Sequence, residues 1–354
     1  MDEMGAVRTP GRQRQSRTLG TLMVLTGWLL LPVGALFEFM CFGAMRPGGQ
    51  KPPWSPLVGG VLGLIGLGVV LGARYLLRQG KRHLSPVTTL TEVLRDPPFV
   101  LYLRTFTDDP RLAAVTPQAN LRSTFGDEHN TAQSLRTEEE QLQVAVRPFG
   151  SMVTVGRPGE QLPPVGARRL YLEDGEWQQG VLQLMAEAGE SGLVLMGAGP
   201  GAALQWELAQ AVALVPPQRL VLVVPMKPEA YEPFRRQAGV LFPASLPDYP
   251  ATPRLRKYAA KIKGAVYFDP DWTPHFVRFD TPGSPGNFQR VIESRFVYGL
   301  RPVYERLSVP WPGVRLRLPV HAHPTRRQVP LFIAMLAVPI VVFGSLIWSI
   351  TGSL

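Results

Sequence analysis

Residues 192–208 read GLVLMGAGPGAALQWEL, and this stretch decides the fold of the polar part of the chain. Its first half is a continuous apolar run, which is typical of a strand buried on both faces of a parallel sheet. Its second half places apolar residues at helical spacing, and glycines separate the two halves. An apolar strand that passes through a glycine-rich turn into a helix is typical of the α/β class.

The same alternation of strand and helix surrounds this stretch. Further apolar runs that predict strands are FVLYLRTF (99–106), MVTVG (152–156), RLVLVV (219–224) and GAVYFD (264–269). Segments with the length and periodicity of helices lie between them, as βαβ units require. The sequence therefore predicts an α/β domain with a mainly parallel five-stranded sheet over residues 98–308.

Three apolar runs lie outside this domain. Residues 54–73 and 329–353 carry no charge, and residues 19–45 carry only Glu38. Each run is long enough to span a bilayer as a helix, and the first exceeds the apolar core of a cleaved signal peptide. The predicted organisation is a basic tail (1–18), transmembrane helix 1 (19–45), an external loop (46–54), transmembrane helix 2 (55–77), a linker (78–97), the α/β domain (98–308), a second linker (309–328) and transmembrane helix 3 (329–350).

The basic residues predict the orientation in the membrane. The formal net charge is +10, but residues 84–325 contain 25 basic and 24 acidic residues, so most of the excess flanks the apolar runs. Ten of these flanking basic residues lie on one side of the bilayer, and only Arg46 and Lys51 lie on the other. The positive-inside rule then predicts a multi-pass protein of the cell membrane with a cytoplasmic N-terminus and main domain and an external C-terminal tail. The balanced charge of the domain argues against a nucleic-acid partner.

The candidate ligand site lies beyond the carboxyl ends of the predicted strands, where open parallel sheets bind their ligands. Glycines there let the backbone approach a ligand, the following helix offers free N–H groups to an anion, and arginines can bind phosphate. The residues that meet these conditions are Arg104, Thr105, Asp108, Gly156, Arg157, Gly197, Gly199, Gly201 and Trp206.

Glu207 is the candidate catalytic residue. Leu204, Leu208 and Ala211 mark the buried stripe of its helix, and Glu207 falls at the margin of that stripe. A carboxylate there could face the cleft, partly desolvated and with a raised pKa. The alternative is an edge carboxylate that pairs with an arginine of a neighbouring loop, and the sequence leaves both interpretations open.

The order of these motifs resembles the Toll/interleukin-1 receptor (TIR) superfamily and the nucleoside deoxyribosyltransferases. The resemblance implies a flavodoxin-like, TIR-like fold for residues 98–308. The resemblance covers residues 98–225 and rests on FVLYLRTFTDD (99–109), an acidic helix, a strand with a Pro-Gly loop, and LVLMGAGPGAALQWEL (193–208). Trp206 is adjacent to Glu207 with no cysteine nearby, which is closer to the transferase pattern than to the TIR pattern.

This resemblance implies an activity. In both families a glutamate on the helix after the third strand attacks or stabilises the anomeric carbon of an N-glycoside, and Glu207 occupies the matching position. The implied substrate is NAD or a related nucleotide, cleaved through an oxocarbenium-like transition state that one carboxylate can stabilise. No cofactor beyond this substrate is implied.

Other candidate residues have simpler interpretations. The acidic stretch TEEEQ (137–141) reads as the solvated start of a helix rather than a catalytic carboxylate pair, and Trp177 reads as a packing residue rather than a stacking platform. His321 and His323 have no cysteine or carboxylate nearby to complete a metal site, so none is predicted.

Two functions therefore remain open. The first is an enzyme that cleaves an N-glycosidic bond with Glu207. The second is a non-catalytic signalling module that self-associates at the membrane, with the bilayer and further copies of the chain as its partners. The sequence does not identify a different protein partner, and three helices are too few for a transporter.

Overall fold

The computed structural model describes residues 15–45, 56–104, 137–157, 160, 162–172, 175–251, 261–279 and 296–310. These residues divide into two compact units, one up to residue 84 and one from residue 85 onward. The predicted third transmembrane helix, 329–350, lies outside the described residues.

The first unit is a hairpin of two long helices, α1 (Arg17–Met45) and α2 (Pro56–Leu84). Both helices are long and apolar enough to cross a membrane, by length and composition. Glycines bring the two backbones together: a Cβ on Gly34 would lie 3.1 Å from the carbonyl oxygen of Gly66, and a Cβ on Gly20 would lie 2.9 Å from that of Gly80. Small residues at a helix–helix contact are the usual means of close packing between apolar helices.

The second unit alternates strands with helices. Its strands are β1 (Val87–Thr88), β2 (Phe99–Leu103), β3 (Ser151–Val155), β4 (Arg168–Leu170), β5 (Leu193–Gly197), β6 (Leu220–Val224), β7 (Gly264–Phe268) and β8 (Pro274–Arg278). Its α-helices are α3 (Leu90–Leu94), α4 (Glu138–Val146), α5 (Trp177–Ser191), α6 (Ala202–Leu214), α7 (Pro228–Gly239) and α8 (Arg301–Arg306). Each of the five strands predicted from apolar runs is present and begins within one residue of its expected start.

The sheet differs from the prediction in size and direction. The described strands form one eight-stranded sheet in the order β1-β4-β3-β2-β5-β6-β7-β8, so the expected five strands and the flavodoxin-like topology are wrong, whereas the expectation of a mainly parallel sheet is confirmed. The strands from β1 to β6 pair in parallel, whereas β7 pairs antiparallel with β6 and with β8. The mixed α/β class is confirmed.

The antiparallel part follows from a tight hairpin. The amide of Asp269 donates to the carbonyl of Thr273 at 2.9 Å, which closes the connection between β7 and β8. Trp272 has a φ of 67° in this turn, and Asp271 accepts a hydrogen bond from the Thr273 amide at 3.0 Å. Only an antiparallel pair can be joined by so short a connection. Composition alone does not encode strand direction, which is why GAVYFD predicted a strand but not its orientation.

Both faces of the sheet are covered. The side chains of β2 alternate between two hydrophobic clusters: Phe99, Leu101 and Leu103 pack on the face that α5, α6 and α7 cover, and Val100 and Tyr102 pack on the face that α4 and residues 296–304 cover. Strands β2, β5 and β6 are buried along their whole length. Because β2, β3 and β5 pair in parallel, their carboxyl ends lie at one edge of the sheet.

Candidate functional site

A cavity of about 280 Å³ lies at the carboxyl ends of β2 and β3, beside the start of α6. The chain passes from β2 to β3 on one side of β2 and later returns as β5 on the other side, so the cavity occupies a switch point in strand order. Its size is close to the lower end of the range typical of small-molecule sites. The residues that line it are Tyr102, Leu103, Arg104, Thr154, Val155, Trp177, Pro200, Gly201, Ala202, Ala203, Leu204 and Glu207.

Glu207 lies in the second turn of α6 and faces this cavity. Glu207 is only 7% exposed. The other buried residues of α6 are Leu204, Leu208 and Ala211. Among the described residues, no hydrogen bond or ion pair to its carboxyl group is present. The interpretation of Glu207 as an edge carboxylate paired with an arginine therefore finds no contact in this part of the chain.

Burial without a compensating partner changes the acidity of this group. Desolvation raises the pKa of the Glu207 carboxyl from its ordinary value of 4.5 to about 8, because an apolar environment disfavours the charged form. Glu207 is therefore mostly a neutral acid at pH 7 while the cavity is empty. A positively charged group placed against it would favour the carboxylate instead.

Positive electrostatic features lie in the same cavity. Arg104 follows β2 directly, is 8% exposed and lines the cavity together with the first turn of α6. Gly201 precedes that helix with φ of 123°, and its N-terminus carries no side-chain cap. The first turn of an uncapped helix offers N–H groups and a positive dipole end to an anion. The cavity thus combines groups that bind an anion with one buried carboxyl.

Gly197, at the end of β5, allows Arg104 to occupy its position. A Cβ at residue 197 would lie 2.9 Å from the Cβ of Arg104, closer than side chains normally approach. Strands β2 and β5 are hydrogen-bonded neighbours, with Leu103 opposite Met196. Residues 104 and 197, which follow this pair, therefore lie side by side. A side chain at residue 197 would push Arg104 away from the cavity.

A buried ionic cluster holds the guanidinium group of Arg104. Its Nη1 donates to Glu139 Oε2 at 2.8 Å, and Arg169 Nη2 lies 3.2 Å from Glu139 Oε1. Glu138 and Glu139 are both fully buried, so the interpretation of TEEEQ as a solvated helix start is wrong. Glu138 accepts hydrogen bonds from the backbone amides of Lys261 and Ile262, each at 2.7 Å. Both carboxylates therefore have specific partners, as buried charges require.

One tryptophan lines the cavity, and a second tryptophan packs against the first. Trp177 lines it directly, and Trp206 packs against the outer side of Trp177 with ring centroids 5.2 Å apart. Trp177 thus has the packing role expected from the sequence and also presents its ring to the cavity. Trp206, a candidate ligand residue, is instead the support behind Trp177.

Three further candidate residues lie within the described part of the chain. Gly199 is buried in the turn between β5 and α6, and Gly156 packs beneath the ring of Tyr171. Arg157 is exposed, and its carbonyl accepts a hydrogen bond from the Glu160 amide at 3.2 Å. None of these three lines the cavity. Thr105 and Asp108 lie outside the described residues.

Sequence reasoning missed Tyr102, Thr154 and Glu139 at this site. Tyr102 and Thr154 look like ordinary strand residues, and nothing in their spacing separates them from core positions. Glu139 did leave a signal, since it lies three residues before the buried Leu142 and hence on the same helical face. The capping box formed by Thr137 and Glu140 fixes the residue at which this helix starts. It therefore also determines which helix residues face the protein interior.

Within the ranges that the structure describes, no group of three or more His, Cys, Asp or Glu side chains is placed to hold a metal ion. His321 and His323 lie outside those ranges. Comparison of the chain with protein-family models, with curated proteins and with solved structures finds no match.

Proposed function

We propose that the α/β unit binds NAD or a related nucleotide in the cavity at the carboxyl ends of β2 and β3 and cleaves its N-glycosidic bond. The observation that carries this proposal is Glu207, a buried carboxyl without a described partner that faces a cavity also lined by Arg104 and the N-terminus of α6. Buried, unpaired ionisable groups in a cleft are typical of functional sites, because their burial destabilises the fold unless a ligand uses them. The resemblance to N-glycoside-cleaving families at Glu207 supports the same reaction.

In the proposed reaction the bond between the anomeric carbon and the ring nitrogen breaks, and its electron pair leaves with nicotinamide. The Glu207 carboxylate stabilises the oxocarbenium ion that forms on the ribose. Water then adds to the anomeric carbon and releases a proton, so the products are nicotinamide, ADP-ribose and a proton. The pyridinium of NAD carries the positive charge that would favour ionised Glu207 on binding.

Arg104 is the residue proposed to bind phosphate. The assay uses full-length protein in detergent, NAD as substrate and product analysis. Arg104→Ala should raise KM about ten- to a hundredfold with a smaller change in kcat, because a lost charged hydrogen bond to bound substrate weakens binding by roughly 1.5–3 kcal/mol. Arg235→Ala is the matched control, since Arg235 pairs with Glu232 on α7 and does not line the cavity. An unchanged KM in Arg104→Ala would remove Arg104 from the site.

We further propose that the protein is anchored in the cell membrane by its helical hairpin and a third helix, with the α/β unit in the cytoplasm. Large apolar side chains on the hairpin point outward, with Leu57 and Phe39 each 76% exposed and Leu64 72% exposed. Side chains of this kind fit a lipid environment. The uneven distribution of basic residues supports the orientation.

A fused reporter protein, whose signal depends on the side of the membrane on which it lies, tests this orientation. Fused at Gln50, between α1 and α2, it should report an external position, and fused at Asp174, before α5, it should report a cytoplasmic one. A cytoplasmic signal at Gln50 would show that the orientation is wrong.

A further inference from the structure

Glu139 does not line the cavity, yet it contacts the cavity residue Arg104. Its carboxylate accepts from Arg104 Nη1 at 2.8 Å and lies 3.2 Å from Arg169 Nη2, and its Oε1 also accepts the Ala167 amide at 3.0 Å. The side chain of Glu139 is fully buried, and those of Arg104 and Arg169 are 3% and 1% exposed. The contact is therefore shielded from solvent.

The position of Glu139 is determined by the backbone around it. It occupies the first turn of α4, where the Thr137 side chain accepts the Glu140 amide at 3.1 Å and the Glu140 carboxylate accepts the Thr137 amide at 2.7 Å. Gly166 lies directly against it, and a Cβ there would be 2.6 Å from the Glu139 carboxyl group. The carboxylate thus has little freedom to move, and its location is set independently of Arg104.

An arginine side chain, in contrast, has several rotatable bonds and loses considerable conformational entropy when it is fixed. Two contacts of the Arg104 guanidinium are described: the bond to Glu139, and the ring of Tyr102, whose centroid lies 5.1 Å from the Arg104 Cζ. Tyr102 also lines the cavity. Because charge-assisted hydrogen bonds are strong and directional in a dry environment, the bond to Glu139 contributes strongly to the position of the guanidinium.

We propose that Glu139 is a positioning residue, which holds the Arg104 guanidinium at the cavity wall in the orientation that binds the phosphate of a nucleoside diphosphate. The proposal rests on the proposed function for the class of ligand. It adds a residue that itself touches no ligand but determines how well the cavity distinguishes phosphate-bearing from phosphate-free ligands.

The test uses ADP, which lacks the nicotinamide–ribose bond that the proposed reaction breaks, and adenosine, which has no phosphate. Affinities of the full-length protein in detergent are measured by titration calorimetry. Glu139→Gln should weaken ADP binding about tenfold, because a misplaced guanidinium forfeits most of a charged hydrogen bond. Adenosine affinity should stay within about twofold, since that ligand does not use Arg104. Glu139→Asp keeps the charge with a shorter reach, and its ADP affinity should lie between those of wild type and Glu139→Gln.

Glu138→Gln is the matched control. It makes the same chemical change at the neighbouring buried glutamate, whose partners are the amides of Lys261 and Ile262, and it should leave the ratio of ADP to adenosine affinity unchanged. Cooperative thermal unfolding of each variant shows that it is folded. If Glu139→Gln does not fold, Glu139→Asp alone decides the test.

Three results would overturn the proposal: a variant that binds ADP as wild type does, a variant that loses ADP and adenosine equally, and a wild-type protein that binds ADP no better than adenosine. Each is distinct from failure of the proposed reaction. A protein that binds ADP in a Glu139-dependent way but leaves NAD intact would retain this inference and lose the catalytic one.

Discussion

Glu207→Gln should lower the rate of NAD cleavage by at least on the order of 10²–10³, with ligand binding and folding retained. The glutamine amide has the same shape as the neutral Glu207 carboxyl, so it fits the same space beside Leu204 and Leu208 on α6. It cannot carry the negative charge that balances the oxocarbenium ion. The loss would be larger still if the Glu207 carboxylate attacks the anomeric carbon directly.

The pH dependence of the wild-type rate provides a second test of the catalytic role of Glu207. Burial raises the pKa of Glu207 to about 8, and the reaction needs the ionised form. The value of kcat/KM, which reports on the free enzyme, should therefore rise about tenfold per pH unit below pH 8 and level off above it. In Glu207→Gln the residual rate should lack this dependence. Nicotinamide release is the measurement for both proteins.

An exposed carboxylate on α5, Glu190, supplies the control, because Glu190→Gln removes one charge without touching the cavity. It should cleave NAD as wild type does. Full activity in Glu207→Gln would show that the catalytic assignment is wrong. No turnover by the wild-type protein, even when it is concentrated on vesicles, would favour the module that self-associates at the membrane.

Five of the eight described strands, the helices between them and the place of the cavity were predictable from the sequence because each depends on local patterns. Apolar runs of four to six residues define β2, β3, β5 and β6, and glycines mark the turn that enters α6. The convergence of Arg104, Gly201 and Glu207 follows from one rule, that the carboxyl ends of parallel strands meet at the same edge. These three residues do line one cavity.

The strand directions at the far edge and the ionic cluster were not predictable, because both depend on contacts between distant segments. Strand β8 begins at Pro274, which reads as a loop residue, although proline is tolerated at the first position of an edge strand. Glu139 belongs to a run of three acidic residues, which is usually solvated. The arginine that follows β2 and the arginine in the middle of β4, together with the Ala167 amide, make its burial favourable.

Glu207 should also make the stability of the α/β unit depend on pH. Below the ordinary pKa of 4.5 the carboxyl is protonated in both the folded and the unfolded chain, so it contributes nothing. Between 4.5 and about 8 the unfolded chain releases this proton while the folded chain keeps it, and the free energy of unfolding therefore falls as the pH rises. Above pH 8 the loss is complete, at about 3–5 kcal/mol when relaxation around the ionised group is allowed for.

Glu207→Gln removes this pH-dependent loss of stability because glutamine does not titrate. The variant and the wild type should have similar unfolding free energies at pH 5, and at pH 9 the variant should be more stable by about 3–5 kcal/mol. Urea unfolding of the full-length protein in detergent, followed by tryptophan fluorescence, measures the difference, and Glu190→Gln should follow the wild type at both pH values. Equal stability of Glu207→Gln and wild type at pH 9 would mean that water or a basic group reaches the carboxylate. In that case the cavity would hold an ordinary ionised glutamate, and a cationic ligand would no longer be needed to produce the form that cleaves the glycosidic bond.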